Sequence, residues 1–516
     1  MSAYKNTFRV VLLSIFIGVN ILILFGIGQL FSYLNTGADR ASILHVALPD
    51  AKVYLPKVIW ENTDNPGRPV EPQTLATIES NYLQAWYVKS VAYKNNDSFG
   101  INDFYTQSAR LNILNNLQDQ KEKNIRVEAT SIHHNLSLDF YSLDGQLAVL
   151  SDKNSREYQR VFKNEKLVFE TEIEATYQVV LLLEDGFWKI RHLVKKPNLN
   201  FTEEKDEIPL CRVEGNQILV GNIPYQIKGI NYYPQETPWD TFGTNFNLDS
   251  ITKDFKRVKE MHLNTVRIFV GYQDFGAAEV IPEKLEKLKK VLDLAQENEL
   301  KVIVTLFDFY GNYEVLDWTL THRHAEQVVS AFKDHSAILA WDVKNEPNLD
   351  FESRNKNTVI AWLKEMITQI KKYDPNHLVT IGWSNTNSAD LLKEEVDLVS
   401  FHYYEAVSEF ENKYADLNAK IDKPLVLQEF GLSSSKGLWN PFGASEKTQA
   451  LYYTDFKKIV DKNNIHYLPW TLYDFNNIPT SVVGKLPWRK NQQKHFGFLD
   501  THKNPKKSFE VFHDLK

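Results

Sequence analysis

Two glutamates, each at the end of an apolar run, stand where a chain can do acid–base and nucleophilic chemistry. The run Ala337-Ile338-Leu339-Ala340-Trp341 leads to Asn345-Glu346 and is stopped by Pro347. Proline lacks an amide donor and cannot continue a ladder, so Glu346 falls where a buried strand leaves its sheet. Parallel α/β architectures place their chemistry at that edge. By itself the stretch reads as readily as a surface Asn-Glu turn, and a second carboxylate at a matching strand end has to decide. Glu429 supplies one, within Gln428-Glu429-Phe430-Gly431 after the apolar Leu425-Val426-Leu427. An acid facing a carboxylate is the equipment for breaking a glycosidic bond: the acid protonates the departing oxygen, and the carboxylate meets the oxocarbenium-like carbon. With the two carboxyls about 5 to 5.5 Å apart, anomeric configuration is retained through a covalent intermediate.

Such a pair needs a scaffold that brings two distant strand ends together, and residues 208–516 carry the pattern for one. After a hairpin around Gly215-Asn216 and Gly221-Asn222, eight strands are predicted at 225–231, 265–269, 301–307, 338–343, 378–382, 398–402, 425–428 and 467–471. Most read as continuous apolar runs, as strands covered on both faces do. Helical periodicity recurs between them, as in Leu248, Ile251, Phe255, Val258 and Met261, or Leu285, Leu288, Leu292 and Ala295 behind Pro282. Further helices are expected at 325–333, 358–373, 408–420, 445–463 and 507–513, with only a short one near 387–393 in the fifth unit. Eight βα units over about 300 residues make an α/β fold of the (β/α)8 TIM-barrel type, whose site lies at the C-terminal strand ends.

Those ends carry Arg267 on strand two, Asn345-Glu346 on strand four, His402-Tyr403-Tyr404 on strand six, Glu429 on strand seven and Trp470 on strand eight. The set, above all Trp-x-x-x-Asn-Glu-Pro paired with Glu-Phe-Gly, resembles the retaining glycosidases with catalytic glutamates on strands four and seven. It is most similar to glycoside hydrolase family 5, the cellulases and mannanases, with family 2 close behind. The resemblance implies Glu346 as acid/base and Glu429 as nucleophile, an order that the residues alone do not set. It also implies His402 near the acid/base and the Tyr404 hydroxyl on the nucleophile; the two are two positions apart and so share a strand face. Arg267 is placed to orient Glu429 and keep it ionised, Asn345 to bond the sugar 2-hydroxyl, and Trp470 to floor the subsite of the sugar being cleaved. A negative Glu429 raises the pKa of Glu346, as a proton donor requires.

The third strand end departs from the histidine common in the family. It reads Leu306-Phe307-Asp308-Phe309-Tyr310-Gly311-Asn312, closer to the mannanase-like branch. Asp308, Tyr310, Asn231, Trp239, Trp318, Trp439 and Trp488 are candidate sugar contacts. His322 and His324 flank Arg323 without a third ligand at metal spacing and read as surface residues. No metal and no cofactor is implied.

Ahead of the barrel, residues 75–200 read as a small α+β domain with a helix over 77–92 and strands at 125–130, 136–141, 167–183 and 186–194. The turn and strand Glu184-Asp185-Gly186-Phe187-Trp188-Lys189-Ile190-Arg191 resemble the cone-shaped NTF2-like (SnoaL-like) domains, which implies small-ligand binding, self-association or a protein partner. No acid, base and nucleophile converge there, so a spacer or assembly role is expected. Residues 35–74, with Pro, Asn and Asp concentrated over 50–73, read as an extended linker. Residues 10–34 form an uncharged, mostly apolar run of about 25, enough for a transmembrane helix across roughly 30 Å of hydrocarbon and longer than a signal peptide's apolar region. Lys5 and Arg9 precede it, which puts residues 1–9 in the cytoplasm and the remainder outside.

A net charge of −7 with no basic stripe excludes a nucleic-acid partner, and the lone Cys211 excludes an intrachain disulfide. The 11 tryptophans supply flat faces for stacking on sugar rings. The expected function is a membrane-anchored retaining β-glycoside hydrolase acting on an extracytoplasmic polysaccharide or oligosaccharide. Two alternatives stay open. One is a transglycosylase using the same glutamates, because any hydroxyl that outcompetes water intercepts the intermediate; the other is a catalytically inactive glycan-binding or assembly protein on the same barrel.

Overall fold

The computed structural model describes residues 54–196, 209–437, 440 and 443–513. The expected tail over 1–9, the membrane helix over 10–34 and Trp439 lie outside the described residues. Among those described, no helix is long and apolar enough to cross a membrane.

Residues 54–196 are built on a five-stranded sheet in the order β1 (Lys57–Asn62), β2 (Ile125–Tyr141), β3 (Leu147–Lys163), β4 (Lys166–Glu184) and β5 (Phe187–Lys196). β2 to β5 are antiparallel neighbours, and β1 joins β2 in parallel. Helices α1 (Pro72–Asn95), α2 (Ile101–Phe104) and α3 (Gln107–Glu122) cover the sheet. From α1, Ile78, Tyr82, Ala85 and Trp86 pack on Leu136, Leu138, Leu150, Val179 and Leu181. The expected linker is therefore shorter than 35–74: Tyr54 is buried and 57–62 is a strand. Its inward residues, Val58 and Trp60, are too few to register as periodicity. Strand β3 was not foreseen, because Asp152, Ser155, Arg156 and Arg160 on it are buried, so its polar and apolar residues do not alternate with burial.

The barrel begins with a small antiparallel sheet, β6 (Cys211–Glu214), β7 (Gln217–Val220) and β8 (Ile223–Pro224). It packs Cys211 and Ile218 against Ile227, Leu339, Leu378 and Leu398, toward the strand starts. Burial pushes the Cys211 thiol up to about 11, so it stays protonated. Eight parallel strands follow in chain order: β9 (Gly229–Asn231), β10 (Thr265–Gly271), β11 (Lys301–Asp308), β12 (Ile338–Asn345), β13 (Leu378–Trp383), β14 (Val399–Tyr403), β15 (Leu425–Phe430) and β16 (His466–Tyr467). The Tyr467 amide donates to Ile227 at 3.1 Å and the Asn231 amide to Pro469 at 3.0 Å, which closes the ring. β16 is shorter than expected because Pro469 has no amide to continue the ladder.

Helices α4 (Leu248–Glu260), α5 (Pro282–Glu297), α6 (Trp318–Phe332), α7 (Phe351–Arg354), α8 (Lys356–Tyr373), α9 (Val407–Asn418) and α10 (Glu446–Lys462) lie between the strands. The chain ends on α11 (Thr480–Val483), α12 (Pro487–Gln493) and α13 (Lys507–His513). In the fifth unit a 3-10 turn, Thr386–Ser388, replaces the expected helix.

Helix α6 starts seven residues earlier than its periodicity implied, and this corrects two expectations. His322 and His324, read as surface residues, are both buried. His322 Nε2 lies 3.1 Å from Glu365, and His324 Nδ1 lies 2.9 Å from the Ala277 carbonyl, with burial lowering the His324 pKa to about 4. Trp318, expected as a sugar contact, is fully enclosed and packs on Tyr158 of β3 with ring centroids 4.3 Å apart. That contact belongs to the seam between the two domains, where Arg156 bonds Glu365 at 2.9 Å and the Leu55 amide donates to Thr319 Oγ1 at 3.0 Å. Replacing Trp318 by alanine should lower the unfolding free energy by about 3–5 kcal/mol in a denaturant titration. A loss under about 1 kcal/mol would mean that the seam contributes little packing energy.

Candidate active site

Arg267 sits on β10, fully buried, and every face of its guanidinium is used. Nε donates to Thr305 Oγ1 and Asp342 Oδ2, each at 3.0 Å. Nη2 donates to Asp342 Oδ2 at 2.7 Å and to Asn345 Oδ1 at 2.9 Å, while Nη1 donates to Asn231 Oδ1 at 3.0 Å and to Glu429 Oε1 at 2.6 Å. Burial opposes the charge, but Asp342 and then Glu429 outweigh it and hold the group above the usual guanidinium range. The other oxygen of Glu429 accepts from the Tyr404 hydroxyl at 3.0 Å. Tyr404 leaves 45% of its surface exposed, yet its hydroxyl end is enclosed. Burial first, then the negative Glu429 and Glu346, push its pKa well above the ordinary phenol value, so it remains a donor.

Glu346 follows the last residue of β12. Pro347 after it disfavours right-handed helical geometry at Glu346, and the residue takes a left-handed conformation with φ 50° and ψ 48°. Its amide donates to the Gly382 carbonyl at 2.7 Å, which fixes this otherwise unfavourable backbone. His402 Nδ1 stands 3.0 Å from Glu346 Oε1 and 3.6 Å from Glu429 Oε2. One oxygen of each glutamate and one nitrogen of His402 all lie within 4.8 Å of one another. The same trio has the spacing to hold a cation. Glu429, however, already has a guanidinium counter-ion at 2.6 Å and a phenol donor at 3.0 Å.

Two irregularities in the sheet aim these side chains. Pairing of β12 with β13 slips between Asp342 and Asn345, and pairing of β14 with β15 slips between Phe401 and His402. Residues three apart on a regular strand face opposite ways. With the extra residue, Asp342 and Asn345 both reach Arg267, and the adjacent Gln428 and Glu429 both point into the barrel.

The structure thus brings Arg267, Asn345, Glu346, His402, Tyr404 and Glu429 to one mouth. Asn231 lies beneath them with no exposed surface: its Nδ2 donates to the Gln428, Leu468 and Pro469 carbonyls at 2.8, 3.2 and 3.3 Å, so it braces strands one, seven and eight. Trp470, 6% exposed, sets its ring edge-on to Tyr233 and Phe269. Beside it a cavity of about 220 Å³ is lined by Tyr233, Trp239, Phe269, Asp308 and Tyr310, together with Pro479, Ser481 and Val482. Asp308 Oδ2 accepts from the Tyr233 hydroxyl at 3.2 Å. Trp488 lies on α12, partly exposed and away from this lining. A larger hollow of about 690 Å³ lies between the loops after β11 and β12, and neither hollow has a glutamate of the pair in its lining.

Sequence reasoning missed Asp342, Thr305, Gln428 and Gly382. Asp342 lies in the motif itself, four residues before Glu346, and an acid inside an apolar strand was the available signal. A Cβ at Gly382 would come within 2.5 Å of Gln428 Oε1, 3.0 Å of Arg267 Nη2 and 3.2 Å of His402 Nε2, so the cluster closes up only on a glycine. Replacing Asp342 by alanine removes the larger counter-charge of Arg267 and should destabilise the fold by about 3–5 kcal/mol. Thermal unfolding measures this, and an unchanged midpoint would show that Glu429 alone suffices for Arg267.

A family model, the cellulases of glycosyl hydrolase family 5, matches residues 224–476. The β-glucuronidase of Homo sapiens is 24% identical over 316 residues, covering 56% of this chain and 45% of its own length. The probable mannan endo-1,4-β-mannosidase C of Aspergillus terreus (strain NIH 2624 / FGSC A1156) is 28% identical over 151 residues, 22% of this chain and 37% of that protein. The chain spans a little under half the length of the glucuronidases it matches. Among solved structures, the exo-β-1,4-mannosidase from Opitutaceae bacterium strain TAV5 aligns with a TM-score of 0.47 and 18% identity, over 56% of this chain and 59% of that one. The matched segment carries the paired glutamates, and the barrel is similar to the cellulases of glycosyl hydrolase family 5.

Proposed function

We propose that the protein is a membrane-anchored, retaining β-glycoside hydrolase that cleaves an extracytoplasmic polysaccharide by double displacement. The observation that carries this reading is the approach of Glu346 and Glu429 oxygens within 4.8 Å, the spacing of the retaining class rather than the wider gap that admits water between acid and base. The two environments differ in the way the roles require. Glu429 is held by the Arg267 guanidinium and the Tyr404 hydroxyl, the setting of a nucleophile, while Glu346 meets the imidazole of His402.

In the first step Glu346 gives its proton to the departing glycosidic oxygen as Glu429 bonds to the anomeric carbon, forming a glycosyl ester. In the second step Glu346 takes a proton from water, whose oxygen displaces Glu429 from that carbon. Arg267 and Tyr404 lower the energy of Glu429 as it leaves with its negative charge.

The aromatic cavity, whose Tyr233 and Phe269 pack against Trp470, suits the glycone. No lysine or arginine lines it among the described residues, whereas Asp274 and Asp308 do. A neutral hexose, as in a mannan or glucan, therefore fits better than the uronic acid named for the glucuronidase relatives. The uncharged run over 10–34 supports the anchor. The long helix packed on long antiparallel strands supports an NTF2-like reading of residues 54–196.

Proton NMR of the first product from an aryl β-mannoside or β-glucoside should show the β anomer; an α anomer rules out the ester. Glu429→Ala should lower kcat by at least about 10⁴-fold, and Glu346→Ala by about 10²–10⁴-fold, with aryl β-glucuronides unreactive throughout. Equal inertness of wild type and both variants across a glycan panel would end the enzyme reading. Gly382→Ala, which crowds Arg267 and His402, should cost about 10- to 100-fold in kcat/KM. A wild-type rate would mean that the cluster relaxes without moving Glu429.

A further inference from the structure

The seam between the two domains encloses a cavity of about 60 Å³, well away from the glutamates. Its walls carry four cations, Lys57, Arg156, Arg323 and Lys372, and a single carboxylate, Glu326. Glu326 is engaged by Lys57 and lies 3.6 Å from Arg323. Behind the wall, Glu365 and Glu172 hold Arg156. Two donors at the cavity are buried without a hydrogen-bond partner, Gln369 Nε2 on a side chain only 2% exposed and His133 Nε2. Buried donors are rarely left without an acceptor, and one left so is destabilising. Lys372 and His133 also sit among neighbouring cations. Burial and then the charges of Arg156 and Lys57 keep the Lys372 ammonium below its usual range, against Glu174. Burial, Lys57 and Lys372 do the same to His133.

We propose that this cavity is a binding site for one small tetrahedral oxyanion of the size and charge of inorganic phosphate. Water occupies about 10–15 Å³ on this measure, so the space admits a few waters or one such ion. Waters would satisfy Gln369 and His133, whereas an oxyanion would satisfy both and add a counter-charge beside Lys372. The ligands come from both domains: Lys57 on β1, His133 on β2 and Arg156 on β3 face Arg323 on α6 with Gln369 and Lys372 on α8. The bound ion therefore clamps the α+β domain to the barrel.

The test is calorimetric titration of the full chain with inorganic phosphate, against sodium chloride at the same ionic strength. One saturable site per chain is expected, with an unfolding midpoint that rises with phosphate and not with chloride. Lys372→Gln, at an exposed side chain, should weaken binding at least tenfold; Gln369→Leu should do likewise. Lys364→Gln, on the same helix but outside the cavity, should leave it unchanged. Glycerol 3-phosphate, too large to be enclosed, should bind at least tenfold more weakly, and equal affinity would assign the site to phosphate esters instead. The proposal fails if phosphate gives no saturable heat, or if Lys372→Gln binds it as wild type does.

Discussion

A buried guanidinium is stable only if every donor finds an acceptor and its charge finds a counter-charge, and Arg267 sets that condition for the whole mouth of the barrel. Asp342 is its permanent partner, with no exposed surface of its own. Thr305, Asn231 and Asn345 take the neutral positions, and Glu429 takes the remaining charged one. Each of these residues arrives on a different strand or strand position, so the charge requirement of one arginine fixes five side chains at once. The Glu429 carboxylate is thereby oriented by contacts already present in the protein.

Regular strands could not deliver this set. A strand turns alternate residues to opposite sides, and Arg267 needs Asp342 and Asn345 from one strand. The slip in the β12–β13 register supplies the change of parity, and the slip opposite His402 lets Gln428 and Glu429 point inward together. Both irregularities lie at the C-terminal ends of the strands, where the ladder is running out and an extra residue costs few hydrogen bonds. Gly382 then allows the neighbouring groups to close over the space that a side chain would fill.

The α+β domain is coupled to this site through its supports. Lys94 of α1 bonds Glu314 at 2.6 Å, in the loop that follows β11 and carries Tyr310 and Tyr313 near the mouth. Alternation along β2 sends His134 into its own domain, where it meets Asp152 at 2.6 Å and Ser131 at 2.9 Å, and sends His133 to the seam. One strand thus serves an internal polar network on one face and the interdomain contact on the other. The contact is polar around an aromatic centre, Tyr158 on Trp318, which gives it direction as well as adhesion.

The sequence by itself determined the barrel and its glutamate pair, since apolar runs, helical spacing and the stop at Pro347 are local properties readable without partners. The resemblance it carries also named Arg267, His402 and Tyr404. It did not show β3 or the true places of His322, His324 and Trp318, because their burial depends on partners distant in sequence: Asp152 meets Tyr82 and His134, His324 meets the Ala277 carbonyl, and Trp318 packs on Tyr158. Nor did it show Asp342 and Gln428 as members of the site. Their inward orientation depends on register slips between strands far apart in sequence, and register is settled only when neighbouring strands pair. The chain's local pattern marked the two glutamates; tertiary pairing decided which residues hold them in place.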